Sequence, residues 1–243
     1  MKSIVGTVLF VLAGLVTAFI AGFEPKPFQQ PLPYDDEQKG LGDLIVIKFS
    51  HVVADNTPKG LAALHFKKLV EQQSGGRVRV QVFPNGILYS DKEAIHAVMG
   101  GDLQMAAPTF SKLSARFPKW QLLDLPFLFP DREAVRAFFD GEIGQLLFKP
   151  LETNNIKVMA IWHNGFKQMT SNKGPLIHPS DFQGQRFRIM RSEVLAEQFH
   201  ALGANTKVIP FNQVYHSLDT GIVDGQENTI SNIYSKRFYQ VQN

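Results

Sequence analysis

Hydrophobic and polar positions along the chain fall into two successive rounds of strand and helix. Ile45 to Phe49 is a β-rich run, and from Pro58 onward the period lengthens to that of a helix, with Leu61, Leu64, Leu69 and Val70 giving its apolar face. Ser74-Gly75-Gly76 stops that helix, and Val78 to Val82 alternates as a second strand. Ser90 followed three residues later by Glu93 has the spacing of a capping box, so a helix starts there, Gly100-Gly101 ends it, and Leu103 to Ala107 is a third strand. Strand, helix, strand, helix, strand predicts a parallel α/β sheet. The pattern then restarts. Ile156 to Ile161 and Arg186 to Met190 read as strands, Lys167 to Thr170 as an extended segment, Glu193 to Leu202 as a helix closed by Gly203, Lys207 to Ile209 as a strand and Asn212 to Thr220 as a helix. The expected architecture is α/β with two lobes, 43–164 and 165–243, and a crossover near Trp162 to Gly165. In open sheets of this kind ligands sit beyond the carboxyl ends of the strands.

The segment before this pattern has a different character. Met1-Lys2 precedes an uncharged apolar stretch from Ile4 to Ile20, and Val16-Thr17-Ala18 offers small residues where a signal peptidase cuts. Residues 1–22 therefore read as a secretory signal peptide, with an uncleaved anchor as the alternative, and the Pro- and Gln-rich residues 23–42 as a tether. Either way the folded part is expected outside the cytoplasm, in the periplasm.

Composition narrows the chemistry. With 243 residues and 44% hydrophobic positions the chain can bury a sizeable core, and 19% charged residues mark an ordinary globular protein. The net charge is only +3 and no dense Lys/Arg tract occurs, which argues against nucleic acid and suits a small anion. Without cysteine there are no disulfides, thiolate metal sites or Cys nucleophile. The seven histidines show no ligand spacing, so neither metal nor cofactor is expected, and no Gly-x-Ser-x-Gly, His-Glu-x-x-His or Walker-type loop is present. Asp91, Glu93, Asp124 and Asp140 occupy ordinary helix and loop positions and read as solvated charges.

Three polar residues stand out against this background. Alternation puts Arg186 and Arg188 on one strand face, opposite Phe187 and Ile189, and an Arg at a strand end can offer a planar fork to a carboxylate. Lys167 alternates with Met169 after Trp162-His163-Asn164-Gly165 and is expected to face the same cleft. Asn228 follows Asp224-Gly225-Gln226-Glu227, read as a turn running into a helix, where amide donors favour anions.

Together these segments resemble the solute receptors of tripartite ATP-independent periplasmic (TRAP) transporters. The resemblance lies in Gly184-Gln185-Arg186-Phe187-Arg188, Pro210-Phe211-Asn212-Gln213-Val214-Tyr215 and Asp224-Gly225-Gln226-Glu227-Asn228. Phe49 to Ala54 with Thr57-Pro58-Lys59-Gly60, Leu125 to Phe129 and Trp162 to Gln168 are similar to the C4-dicarboxylate, DctP-type branch. The resemblance runs from about Ile45 to Asn243. It implies two lobes joined by a hinge around a central cleft that closes over an organic acid, and delivery of that acid to the membrane subunits of a sodium-driven transporter. It implies Arg188 as the carboxylate clamp, Lys167 as a second cation, Phe211 as the aromatic beside the ligand and Asn228 as a neutral donor. In the first lobe it points to His51 and Lys59 for the distal end of the ligand and to Thr109 as a further contact. Family members continue for several helices, so the second lobe is expected to be incomplete at Gln240 to Asn243, in a helix still under way that crosses back between lobes. Two other readings stay open: a sensor that presents the bound solute to a signalling partner, and an enzyme acting on a small carboxylate with Lys167 or a histidine as base.

Overall fold

The computed structural model describes residues 12–14 and 44–242. Met1–Asp43 separates from Leu44–Asn243 as a unit of its own; of it only Leu12 to Gly14 is described, as helix, and the remainder of the expected signal segment and tether lies outside the described residues. Among the described residues no helix is long and apolar enough to cross a membrane.

The first sheet is parallel, with β1 (Ile45–Ser50) at its centre, β2 (Val78–Phe83) on one side and β3 (Met105–Ala106) on the other. β3 is shorter than its sequence suggests. Only Met105 and Ala106 pair, with Phe49 and Ser50, while Leu103 is buried against Ala94 and Ala97 of α2 (Asp91–Gly100). The capping box that starts α2 is present in full, with Ser90 Oγ accepting from the Glu93 N–H and Glu93 Oε2 from the Ser90 N–H.

Helix α1 (Pro58–Gln73) is in place, but its buried face differs from the expected one. Ala63, Phe66 and Val70 cover Phe49 and Val80, whereas Leu61, Leu64 and Leu69 are exposed. The first turn fixes this rotation. A Cβ on Gly60 would lie 2.4 Å from the Ala54 carbonyl oxygen, so only glycine allows the helix to sit this close to the loop after β1.

A helical layer follows, formed by α3 (Phe110–Leu113), a 3-10 turn (Pro118–Asp124), α4 (Arg132–Asp140) and α5 (Glu142–Glu152). Trp120, Leu147 and Leu151 form its centre, and Trp120 Nε1 donates to the Leu147 carbonyl at 3.1 Å. The expected strand over Ile156 to Ile161 does not form; residues 156–166 join no sheet. Ile156 and Val158 pack into this helical cluster, so their apolar side chains are satisfied by helices and not by a neighbouring strand.

The second sheet has the order β4 (Lys167–Ser171), β7 (Gly225–Thr229), β5 (Arg186–Ile189), β6 (Asn205–Val208), with β4 antiparallel to β7 and the other pairings parallel. α6 (Glu193–Ala201) covers it through Leu195 and Phe199, which meet Phe187 and Ile189. The stretch read as a turn before a helix is in fact β7, with all five residues buried. Gly225 makes that possible, since a Cβ there would lie 2.3 Å from the Phe187 ring and 2.6 Å from the Thr170 carbonyl oxygen. After α7 (Val214–Asp219) and β7, the short α8 (Ile230–Ser235) is capped at Lys236, Arg237 follows with a left-handed φ of 54°, and Phe238–Gln240 is a 3-10 turn in place of the longer helix expected.

Residues from both halves meet in one core. Val52 and Val53, after β1, pack with Phe211, Val214, Leu218, Val223 and Phe238. Gln198 Nε2 donates to the Asp124 carbonyl, and Ser114 Oγ to that of Arg191 at 3.3 Å. These contacts bring the carboxyl end of β1 and the carboxyl end of β5 to a common space.

Candidate functional site

Arg188 is the least expected residue in that space, because a charged side chain is only 1% exposed. β5 carries it on the side opposite Phe187 and Ile189, in register with Gln226 of β7. Its Nε donates to the Ile209 carbonyl at 2.9 Å, which fixes the guanidinium plane, and Nη2 has no hydrogen-bond partner. Burial lowers its pKa, opposed by the nearby Glu227 and Asp91 carboxylates. A fork held at one nitrogen and open at another is arranged to accept a planar anion.

Glu227 is 2% exposed and draws two cations together. Lys167 Nζ lies 3.0 Å from its Oε2, and Arg188 feels the same carboxylate. Lys167 and Arg188 thus act on one carboxylate, and the Lys167 charge is already engaged by it. Asn228, on β7, donates through Nδ2 to Gln226 Oε1 at 2.6 Å and accepts at Oδ1 from Asn232 Nδ2 at 3.2 Å. One of its two amide hydrogens is left over. The donor in this motif thus comes from a strand and not from a helix N-terminus. Phe211 is buried in the shared core, edge-on to Phe238, with Lys236 Nζ 5.6 Å above its ring.

The first half contributes the opposite wall. His51 directly follows β1, is 2% exposed and has neither ring nitrogen hydrogen-bonded; the Oγ of its neighbour Ser50 is likewise buried and unpartnered. Lys59, in the first turn of α1, donates to the Ala107 carbonyl at 3.2 Å. Burial lowers the pKa of Lys59, and Asp91 opposes that shift. Thr109 sits just before α3 and donates to Met190 Sδ at 3.3 Å, which ties it to the residue after β5.

Two carboxylates read as solvated are not. Asp91 and Asp124 are each 8% exposed. Burial raises the Asp91 pKa, while Lys59, Lys112 and Arg188 pull it back down. Asp124 accepts from Ser111 at Oδ1 and braces α3. Sequence reasoning also missed Lys112, whose pKa is lowered by burial and raised by Asp91. The Ser90–Glu93 capping box could have located Asp91 at the head of α2, beyond a strand end; nothing in the sequence marks Lys112. The site is thus a partly desolvated cluster in which Lys59, Lys112, Arg188 and Lys167 outnumber Asp91 and Glu227, with Lys236 nearby. Such a cluster can hold a small anion of more than one charge. Among the described residues no His, Asp and Glu group could hold a metal ion.

The fold and this cleft define a two-lobed α/β solute-binding protein. Residues 49–243 match the family model described as bacterial extracellular solute-binding protein, family 7 (DctP), and the chain belongs to that family. It is 50% identical over 242 residues to the C4-dicarboxylate-binding protein DctB of Bacillus subtilis, covering 100% of this chain and 69% of that protein. Two solved structures, both described as TRAP periplasmic solute-binding proteins with bound succinate, are similar. The Sulfurospirillum deleyianum protein is 46% identical with a TM-score of 0.79, covering 82% of this chain and 64% of that one. The Shewanella oneidensis protein is 48% identical with a TM-score of 0.79, covering 82% and 65%. The chain thus spans about two thirds of the length of these relatives.

Proposed function

We propose that this protein is an extracytoplasmic receptor that captures a C4-dicarboxylate of the succinate, malate or fumarate type and delivers it to the membrane subunits of a TRAP transporter. It acts as a receptor and not as an enzyme, in the periplasm, after export by its N-terminal segment. The observation that carries this reading is the buried Arg188, fixed at Nε and unpartnered at Nη2, facing cations of the other lobe. A doubly charged ligand enters a desolvated cleft only if both ends meet fixed partners, because an unpaired buried charge is expensive. Arg188 takes one carboxylate, with Asn228 as a neutral donor and Lys167 as a second charge shared with Glu227. Lys59 and His51, from the first lobe, take the other. Phe211 forms the apolar wall, and Thr109 lends a hydroxyl near the junction of the lobes. Succinate in two similar structures supports the substrate class.

A thermal-shift titration with succinate, malate, fumarate and a monocarboxylate tests this. A ligand that binds only the folded state raises the melting midpoint in proportion to the logarithm of concentration over Kd. The diacids are expected to raise it and the monocarboxylate to leave it in place; a cooperative transition that no diacid moves would overturn the assignment.

A further inference from the structure

Buried polar side chains find a partner in folded proteins, and His51 is an exception that calls for a cause. Its ring is 2% exposed and neither Nδ1 nor Nε2 has a partner within hydrogen-bond geometry, while the Val53 backbone close by favours the protonated ring without outweighing burial. The backbone that carries the ring is fixed, with the His51 main-chain N–H donating to the Phe83 carbonyl at 3.0 Å and its main-chain carbonyl accepting from the Gly86 N–H at 3.0 Å, and the Phe49 ring stands edge-on to the imidazole with centroids 6.1 Å apart. The charged groups facing it are Lys59 from α1, Asp55 from the loop between β1 and α1, and Lys236 from the end of α8; Asp91 of α2 acts beyond them, on Lys59. Two cations against one carboxylate oppose protonation of the imidazole. Burial, with Lys59 next, accordingly holds its pKa below the ordinary histidine range.

A neutral imidazole offers a carboxylate one donor and wastes its acceptor nitrogen, whereas the imidazolium offers two donors and a charge. A dianion seated between Arg188 and Lys59 reverses the sign of the field at His51 and favours the protonated form. We propose that capture of the diacid is proton-linked through His51: the ring takes one proton from solvent as the distal carboxylate closes on it, and returns it on release. This rests on the receptor reading above. Because the complex then holds more protons than the empty receptor, affinity rises as the pH falls through the window between the ring's pKa in the empty and occupied states.

Calorimetric titration with succinate near pH 7, in two buffers of different ionisation enthalpy, reads the proton count directly. The expected result is uptake of a substantial fraction of a proton and an affinity that rises several-fold between about pH 8 and about pH 6.5. His51→Gln keeps a donor and an acceptor but cannot titrate, so it should take up no proton and bind with a flat pH profile. Equal heats in both buffers for the wild type would overturn the proposal while leaving the receptor reading intact. Undiminished uptake in His51→Gln would also overturn it and assign the proton elsewhere, with Asp91 first in line. Should that variant fail to fold, NMR titration of the wild-type His51 ring decides, because a pKa that does not rise on adding succinate is equally fatal. No binding heat with any diacid would instead bring down the receptor reading itself.

Discussion

The two ends of the second sheet treat the same side chain in opposite ways. Arg186 and Arg188 stand two residues apart on β5, both turned away from Phe187 and Ile189. At the amino end, Asp224 accepts from Arg186 Nε at 3.0 Å, from Nη2 at 2.9 Å and from the Arg186 backbone N–H at 2.9 Å. Arg186 is half-exposed and engaged by Asp224 at two of its guanidinium nitrogens. At the carboxyl end, Arg188 is buried and holds a single carbonyl. A closed ion pair at the rim pins β5 to the turn before β7. An open guanidinium in the interior stores unmet hydrogen-bonding capacity that a ligand can satisfy. Burial and exposure alone would have ranked these residues the wrong way round, since the buried arginine is the available one.

The comparison breaks most sharply if Arg188 can be lost without consequence. Arg188→Ala is expected to weaken succinate binding by about 3–5 kcal/mol, the range for removing one partner of a buried charge pair. That corresponds to roughly two to three and a half decades in Kd by calorimetry. Arg188→Lys should also weaken binding markedly, because an ammonium cannot reproduce the fork. Wild-type affinity in either variant would show that the open nitrogen is not where the ligand sits.

Glu227→Gln comes next and changes two quantities in opposite directions. The empty protein should melt several degrees lower, because Lys167 and Arg188 lose their resident anion. The further rise on adding succinate should be larger than in the wild type, because the ligand no longer shares those cations with a carboxylate. A smaller rise would mean that Glu227 positions the cations more than it competes for them.

How far the sequence could be read follows the same division. Alternation over Arg186 to Met190 was enough to pair the two arginines on one face, and the motif match placed Arg188, Lys167, Asn228 and Phe211 near one another. What alternation could not say is which arginine is satisfied, because that depends on Asp224, 38 residues away on the neighbouring connection. Asp224-Gly225-Gln226-Glu227 reads as a turn from sequence, yet the glycine is there because Phe187 and the Thr170 carbonyl leave no room for a Cβ in β7. The buried face of α1 departs from the leucine pattern for a similar reason, since the contact at Gly60 sets the helix rotation and overrides the count of leucines. Asp91 and Lys112 are buried by packing between elements far apart in sequence, which local periodicity does not record.

Asp224→Asn probes the closed end and should have a smaller effect. Arg186 is the main cause holding the Asp224 carboxyl below its ordinary range, so the stabilisation is fully present above that range and is lost as the pH falls through the depressed value. The variant is expected to melt a few degrees lower near neutrality and to lose less further stability between about pH 5 and pH 3 than the wild type. Its affinity for succinate should stay close to wild type. A large loss of affinity would mean that the two ends of β5 are coupled and that the division drawn between them is false.

The smallest effect expected is that of Asp91→Asn, which tests the first-lobe wall that Arg188 faces. Burial is the main reason the Asp91 pKa is raised, so its ionised form opposes folding at neutral pH, and the amide should leave stability unchanged or slightly higher. Removing a carboxylate from among Lys59, Lys112 and Arg188 should also strengthen anion binding a few-fold, by a factor that grows with ligand charge from a monocarboxylate to succinate to a tricarboxylate. The sign matters more than the size. Lys59 and Lys112 are both pushed towards neutrality by burial and both supported by Asp91. If the variant binds succinate more weakly, and more so as the pH rises, then Asp91 serves to keep those lysines charged in the empty cleft. The first-lobe wall would then resemble the closed end of β5, an ion cluster that holds itself together, and Arg188 alone would remain open.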